Sequence, residues 1–483
     1  MTIAHDNVVL HEATRVALEY LDGLDERPVA PSATADSMYA AFSQPLSERG
    51  EDPLNVIRDL AHKADPGLMA MPGPRVFAWV QGGTLPVSIA ADWLTSAWDQ
   101  NTAFYQTTPA CAAMEEVAAK WALDLLKLPS TCSVGMVTGA TVANLVGLAA
   151  ARHAVLEKHG WDVEEDGLQG APKVTVIAGE EGHLAIFSAV RYLGLGQNAV
   201  RKIEADEQGR MIPGALAATL AEIDGPTIVC AQAGQINTGA FDPFVEISAL
   251  CREHGAWLHV DGAFGLWAQA SANLCHLSDG VELADSWAVD AHKWLNVPYD
   301  SAMVIVRDPA AHRAATCSIA SYLSDNGPER QDPMHFVPEL SRRARGVSVY
   351  AALRTLGRNG VQELIERCCD LSQRMRDQLI SMPGVELLNH VVLNQAVYRF
   401  HRLIDGQIVD DDEQTDAMTR AVIEAVQHDR TCYVAGVEWH GQYAMRIALS
   451  NWRTTARDID RSSAAILGCY KALLERKASP VST

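Results

Sequence analysis

"GMVTGATVANLVGLAAARH" (residues 135–153) reads as a strand, a tight turn and a helix in succession. The apolar run "GMVT" leads into the small residues Gly139, Ala140 and Thr141, and a helical stretch runs over 141–159. The start of a helix presents backbone N–H groups with no intrahelical partner and a partial positive charge. So little side chain stands at Gly139 and Ala140 that an anion can approach those groups, and the Thr141 hydroxyl adds a donor. The same turn is also read as an ordinary helix cap at Thr141.

Outward from this unit the pattern repeats. Short apolar runs recur at "KVTVIA" (173–178), "PTIVCAQ" (226–232), "AWLHVD" (256–261), "SWAVD" (286–290) and "SAMVIV" (301–306). Helical stretches such as 212–223 lie between several of them. Strands alternating with helices predict an α/β fold with a mainly parallel sheet covered on both faces. Ligands of such sheets gather at the carboxyl ends of the strands. Upstream, Ala13, Val16, Ala17, Tyr20, Leu21 and Leu24 fall on one helical stripe, and a second short helical run lies near Leu54–Leu60. Two such helices cannot bury their faces alone, so the segment is expected to pack on another part of the protein or on a second subunit. After about residue 380, "VELLNHVVLNQAVYRF" and "YAMRIALSNW" predict strands of a smaller domain. "TTARDIDRSSAAILGCYKALLERK" then predicts a helix, with Thr455 and Asp458 in capping-box spacing. The expected division is an N-terminal helical segment (1–75), a large α/β domain (76–378) and a small α+β domain (379–483).

The composition narrows the class. The 483 residues are 48% hydrophobic and 20% charged, as in ordinary globular proteins. No run of about 18 apolar residues predicts a membrane span. The first residues, "MTIAHDNVVLHEATRVALEY", lack the basic start and apolar core of a secretory signal. A net charge of -21 argues against a nucleic-acid partner, whose phosphates demand a basic surface. A cytoplasmic enzyme is expected. The ten cysteines are scattered without a CxxC pair, so no metal site is expected and the thiols suit a reducing compartment. "GLGQNA" (194–199) matches GxGxxA but follows the helical run "HLAIFSAVRYL". Without a preceding strand it reads as a glycine turn ending a helix, not a nicotinamide site.

Three other strand ends carry chemistry. In "VDAHKWLN" (289–296), Lys293 follows a run that reads as buried. An apolar setting disfavours the ammonium form and frees the amine as a nucleophile that can join a carbonyl such as that of pyridoxal phosphate. The plain alternative is a lysine whose head reaches water. In "AWLHVDGAFG" (256–265), Asp261 sits at a strand's carboxyl end, as a ligand partner or as a loop cap. In "AGEEGHLAIFSAV", His183 lies just beyond a strand, where it stacks on a flat cofactor or serves as a hydrogen-bonded structural residue. Each feature alone is bland. A phosphate cradle, a flat histidine, an acid and a lysine in this order, each at a strand end, are not.

With these segments the chain resembles the group II pyridoxal-phosphate decarboxylases, which include aromatic amino acid, histidine and glutamate decarboxylases, over nearly its whole length. The matching segments are "TTPACAAMEEVAAKWALDLL", "TGATVANLVGLAAAR", "GHLAIFSAVRYLGLG", "NTGAFDP", "HVDGAFG", "DAHKWLN", "PELSRRARG" and "MRIALSNWRTT". The resemblance implies fold type I, the aminotransferase-like architecture, and a dimer whose N-terminal helices wrap the partner. It implies that Lys293 carries the cofactor and that Asp261 pairs with the ring nitrogen. Ala263 would pack on the ring face opposite His183. Ala140 and Thr141, beside Gly139, would bind the phosphate, and His292 would contact the phosphate or the substrate. The implied activity is decarboxylation of an L-amino acid to the amine.

Two departures are legible. The family's mobile loop reads "SDNGPERQDPMHFVPEL" (324–340) here, and Pro333 follows Asp332 where animal aromatic decarboxylases have a tyrosine that helps protonate the product. His335 and Tyr322 become the candidate donors, and the loop 324–338 is expected to be a mobile lid. Relatives without the tyrosine can yield an aldehyde, so oxidative decarboxylation or an aldol-type cleavage is the rival reading. A cofactor-binding protein without turnover is the other. The second departure is the substrate wall. "VFAWVQGGTLP" (76–86) keeps Phe77 and Trp79 but brings a polar Gln81, and Phe104 and Tyr105 are expected nearby.

Overall fold

Seven of the chain's strands pair into one sheet in the computed structural model, which describes residues 7–317 and 332–478. They are β1 (Ser133–Val137), β2 (Thr175–Gly179), β3 (Val200–Ile203), β4 (Thr227–Gln232), β5 (Trp257–Asp261), β6 (Ser286–Asp290) and β7 (Ala302–Val306), in spatial order β1-β7-β6-β5-β4-β2-β3. β7 alone runs against its neighbours, so the sheet is mixed. Alternate residues feed opposite faces, as a pleat requires. Trp287, Val289, Met303 and Ile305 join one buried cluster, while Ala288, Ala302, Val304 and Val306 join the other. Burial on both sides is why these strands read as unbroken apolar runs. β3 escaped the sequence reading because it is an edge strand with exposed Arg201 and Lys202 at its centre.

The helices begin with α1 (Val8–Asp22), α2 (Ala35–Phe42) and α3 (Pro53–Ala64), followed by α4 (Pro86–Trp98) and α5 (Pro109–Leu125). Next come α6 (Ala140–Glu157), α7 (Val163–Asp166), α8 (Leu184–Tyr192), α9 (Pro213–Leu220), α10 (Phe244–Glu253), α11 (Pro309–Thr316) and α12 (Gly346–Ile380). α1, α2 and α3 contain no fully buried residue; the α1 stripe is half-covered, packing on α3, and only its last member, Leu24, is buried, just beyond the helix. α6 is buried nearly all round, with Ala143, Val146, Leu148 and Ala150 in the core. α8 ends as expected in a left-handed Gly194 (φ 74), which accounts for the "GLG" turn. No helix among the described residues is long and apolar enough to cross a membrane.

α12 leads into a second layer. β8 (Val385–Leu387), β9 (Gln395–Phe400), the short ribbon β10 (Leu403–Ile404) and β11 (Gln407–Ile408), α13 (Asp412–Asp429), β12 (Ala435–Trp439), β13 (Gln442–Ala448) and α14 (Ala456–Ala478) follow in order. Four of these strands form an antiparallel sheet, β12-β13-β9-β8. The capping box before α14 forms: Thr455 N–H donates to Asp458 Oδ2 (3.0 Å) and Asp458 N–H to Thr455 Oγ1 (3.4 Å). Phe77 corrects an expectation. It is 1% exposed in this sheet's core beside Tyr398 and Phe400, not in a substrate wall. Its backbone pairs with Tyr433 and Ala448, which draws the ring inward.

The expected lid is corrected over its second half. Asp332–Phe336 is a buried turn. Asp332 Oδ1 accepts the Tyr105 N–H (2.7 Å), and the Phe336 ring lies 5.0 Å from that of His312. These anchors outweigh the two prolines in deciding the segment's order. The remainder of the loop, with Tyr322, lies outside the described residues.

Candidate active site

Asp261, Lys293 and His183 each follow a parallel strand of the sheet, and β1 leads into the start of α6 at the same edge. α6 begins at Ala140 with Gly139 as its cap residue, so Thr141 is not the cap. Gly139 has no side chain to satisfy the helix start, and Thr141 is exposed there.

Asp261 closes β5 and is 5% exposed. Its Oδ1 accepts the Ala263 N–H (3.1 Å) and its Oδ2 accepts Asn144 Nδ2 (2.9 Å). Lys293 sits one turn beyond β6, its side chain 17% exposed and its Nζ 2.9 Å from Asp290 Oδ2. Asp290 also accepts the Ala140 N–H at Oδ1 (2.7 Å), which puts a carboxylate against the helix start. His292 Nε2 lies 3.6 Å from Asp290 Oδ2, and its ring is 4.3 Å from that of Tyr299, whose hydroxyl donates to Gln81 Oε1. Gln81 thus reaches the lysine turn.

His183 caps α8, its Nδ1 accepting the Ala185 N–H (3.3 Å). The proton of the neutral ring therefore sits on Nε2. Burial first of all holds this imidazole below its usual range, against the pull of Asp261. The fields of Asp261, Lys293, Arg446 and Asp290 all reach it, which places the four charges around one ring. Arg446, on β13, is the residue that the sequence reading passed over. Its Nη1 donates to Asn237 Oδ1 (3.1 Å), its buried Nε has no partner among the described residues, and burial lowers its pKa to about 10.

Other expected residues stand apart. Trp79 is 44% exposed, 5.9 Å from the Tyr433 ring. Phe104 is half-buried next to Ala103, whose carbonyl accepts the Met334 N–H. His335 is 2% exposed, its carbonyl accepting from Thr316 Oγ1 on α11 and its ring edge-on to Phe336.

An amine, a buried acid, a flat neutral imidazole and a helix start behind a glycine at one sheet edge suit an aromatic aldehyde bearing a phosphate. The pyridoxal-dependent decarboxylase conserved domain matches residues 36–401. The chain belongs to this family. The decarboxylase is 27% identical over 471 residues to tryptophan decarboxylase 1 of Oryza sativa subsp. japonica, covering 92% of this chain and 89% of that one. It is 25% identical over 455 residues to 4-hydroxyphenylacetaldehyde synthase of Rhodiola rosea, covering 92% and 90%. Its fold matches the crystal structure of Oryza sativa TDC with PLP and tryptamine, with a TM-score of 0.91 at 22% identity over 98% of this chain and 99% of that one. The decarboxylase is a fold type I enzyme, a carboxy-lyase that uses pyridoxal phosphate.

Asn144, His259 and Asp290 were also missed. His259 and Asp261 alternate onto one face of β5, a signal available in "WLHVD". Asp290 ends a strand as Asp261 does. Arg446 offered only a cation inside an apolar strand.

Proposed function

We propose that the decarboxylase converts an L-amino acid to its amine and CO2, with Lys293 carrying the cofactor. The observation that carries this reading is the meeting of Lys293, Asp261 and His183 at one sheet edge. Lys293 must shed a proton to act as a nucleophile, and the Asp290 carboxylate at 2.9 Å is the base beside that proton. Asp261 holds a proton on the ring nitrogen. Neutral His183 would offer a flat face to the ring, with Ala263 on the other side. The N–H groups and hydroxyl at Gly139–Thr141 would hold the phosphate, with His292 alongside. When bound, pyridoxal phosphate supplies an electron sink for the pair released as CO2 departs. Arg446, half-buried and paired only with the neutral Asn237, is the cation available to a carboxylate of the substrate. Gln81 and Tyr299 line the approach, and Trp79 and Phe104 stand farther out. The net charge and free thiols favour a cytoplasmic setting.

A second reading gives the aldehyde. Pro333 after Asp332 favours it, as does the likeness to a relative named as an aldehyde synthase. His335 is buried in that turn, and as a proton donor it would have to act from there. One experiment tests both readings. The common amino acids, hydroxylated aromatics, diamino acids and cysteine sulfinate are screened for CO2 release, and amine, peroxide and ammonia are measured in the positive reactions. Amine equal to CO2 supports the proposal. Peroxide and ammonia in step with CO2 establish the aldehyde route, and no CO2 from any substrate contradicts both.

A further inference from the structure

Behind Asp261 runs a chain of buried polar groups. Trp257 Nε1 donates to Ser286 Oγ (2.9 Å). Ser286 Oγ lies 2.8 Å from His259 Nδ1, and His259 Nε2 lies 2.9 Å from Asn144 Oδ1. Asn144 Nδ2 then meets Asp261 Oδ2 at 2.9 Å. Asn144, His259 and Ser286 are each 0% exposed and Trp257 is 5% exposed.

The chemistry of the two ends fixes every proton between them. The indole N–H can only donate, and an ionised carboxylate can only accept. Ser286 therefore accepts from Trp257 and gives its own proton to His259 Nδ1. His259 must then carry its ring proton on Nε2 and donate it to Asn144 Oδ1. The Asn144 amide has one orientation left, with Nδ2 toward Asp261. All four donors point the same way, and each polarises the next. Burial drives the His259 pKa down to about 4, so the ring stays neutral and adds no second cation beside the acid.

The helix leaves room for this arrangement. A Cβ at Gly147 would stand 2.8 Å from His259 Cε1 and 3.0 Å from its Nδ1. A glycine in mid-helix costs about 1 kcal/mol relative to alanine, so α6 gives up stability at the point where His259 needs space.

We propose that Asn144, His259 and Ser286 are positioning residues, a one-way donor relay that aims Asp261 at the cofactor's ring nitrogen. The inference rests on the reading of Asp261 as the partner of that nitrogen. Buried polar groups of this kind are costly unless every one is paired, and here each finds its partner. A carboxylate held by Asn144 on one oxygen and by the Ala263 N–H on the other has its remaining lone pairs fixed in direction. Loss of the relay frees the carboxylate to turn, which weakens its hold on the ring nitrogen.

The test compares Asn144→Ala, His259→Leu, His259→Gln and Asp261→Asn at fixed pH. Three quantities are read: the ratio of the visible to the near-ultraviolet cofactor band, the dissociation constant of pyridoxal phosphate from the apoprotein by equilibrium dialysis, and the apoprotein melting temperature. Asn144→Ala and His259→Leu should lower the band ratio and weaken cofactor binding on the order of tenfold, the low end of what loss of such supporting partners costs a metal ligand. His259→Gln keeps an acceptor and a donor in sequence and should restore both. If Asp261→Asn changes the spectrum and binding while Asn144→Ala and His259→Leu alter only the melting temperature, the relay is overturned and Asp261 keeps its role. The relay is equally overturned if His259→Gln behaves as His259→Leu does. If Asp261→Asn itself changes neither the spectrum nor binding, the reading of Asp261 fails and the relay with it.

Discussion

Arg446 shows how a single residue can be hidden by its context. A cation in "YAMRIALSNW" reads as the solvent face of a strand. Pairing of β13 with β9 instead turns it partly inward, where its one hydrogen-bond partner is the neutral Asn237 and its charge reaches His183. A buried guanidinium without a counter-ion is costly unless something supplies the anion. Arg446→Gln should therefore lower kcat/KM for the substrate by roughly 30-fold or more, the scale set by truncating one partner of a buried charge pair. Arg446→Lys should recover part of that loss. Steady-state kinetics on the amino acid found in the screen decide it, and unchanged kcat/KM in Arg446→Gln would remove the arginine from the site. Lys293 and Asp261 were legible because each ends a run too apolar to expose them. Asn144 and His259 were not, because their partnership spans 115 residues and only the packing of α6 on β5 creates it. Phe77 misled for the converse reason: an aromatic residue in the right segment says nothing of which core it enters.

Among the elements, the turn after β6 is held from three sides. Asn296, at φ 56, accepts the Gly83 N–H (2.6 Å) and the Trp452 N–H (3.0 Å) on Oδ1 and donates to the Ser450 carbonyl (2.9 Å). One amide thus ties the lysine turn to the 82–83 segment and to the end of β13. The backbones approach so closely that a Cβ on Gly82 would fall 1.9 Å from the Lys293 carbonyl oxygen. Gly82→Ala must push the turn away, at about 1–3 kcal/mol for overpacking. A lower melting temperature and a reduced cofactor content are expected on calorimetry and absorbance. A variant with both unchanged would show that the turn yields freely. The strands of the large sheet were readable as apolar runs except β3, charged at its centre, and in the small domain β12 and the short β10–β11 ribbon were also missed. Helix starts were less so. The small residues at 139–141 announced a turn, but whether Gly139 or Thr141 caps it depends on backbone angles that composition does not carry.

For the molecule as a whole, acid should be destabilising. Burial lowers His259 to about 4 and His312 to about 3. Unfolded, both titrate near 6.5, so below that pH the unfolded chain binds protons that the folded one refuses and stability falls. Asp242, raised to about 6 by burial, works the other way below pH 6. From pH 6.5 to 5 the two histidines cost about 3 kcal/mol and Asp242 returns about 1, a net loss of about 2 kcal/mol. Melting of the apoprotein across this range should show the fall, and a flat or rising profile would contradict the buried neutral histidines. The N-terminal helices raise a second question at this scale. α1, α3 and α4 line an apolar groove of about 1390 Å³ that includes Tyr20, Leu21, Leu60 and Trp93. The amphipathic stripe foretold a face in need of a partner, but not what covers it. A second copy of the chain is the partner expected, and Leu60→Arg should shift sedimentation from dimer toward monomer. An unaltered sedimentation coefficient would place the interface elsewhere.

The account stands on the amine of Lys293 bearing the cofactor. The direct measurement is borohydride reduction of the holoenzyme, followed by peptide mapping of the fixed label. The label is expected in the peptide containing "DAHKW", on Lys293, with Lys293→Ala binding pyridoxal phosphate reversibly and losing turnover by at least about 10²-fold. A label on any other lysine, or full activity in Lys293→Ala, would contradict it.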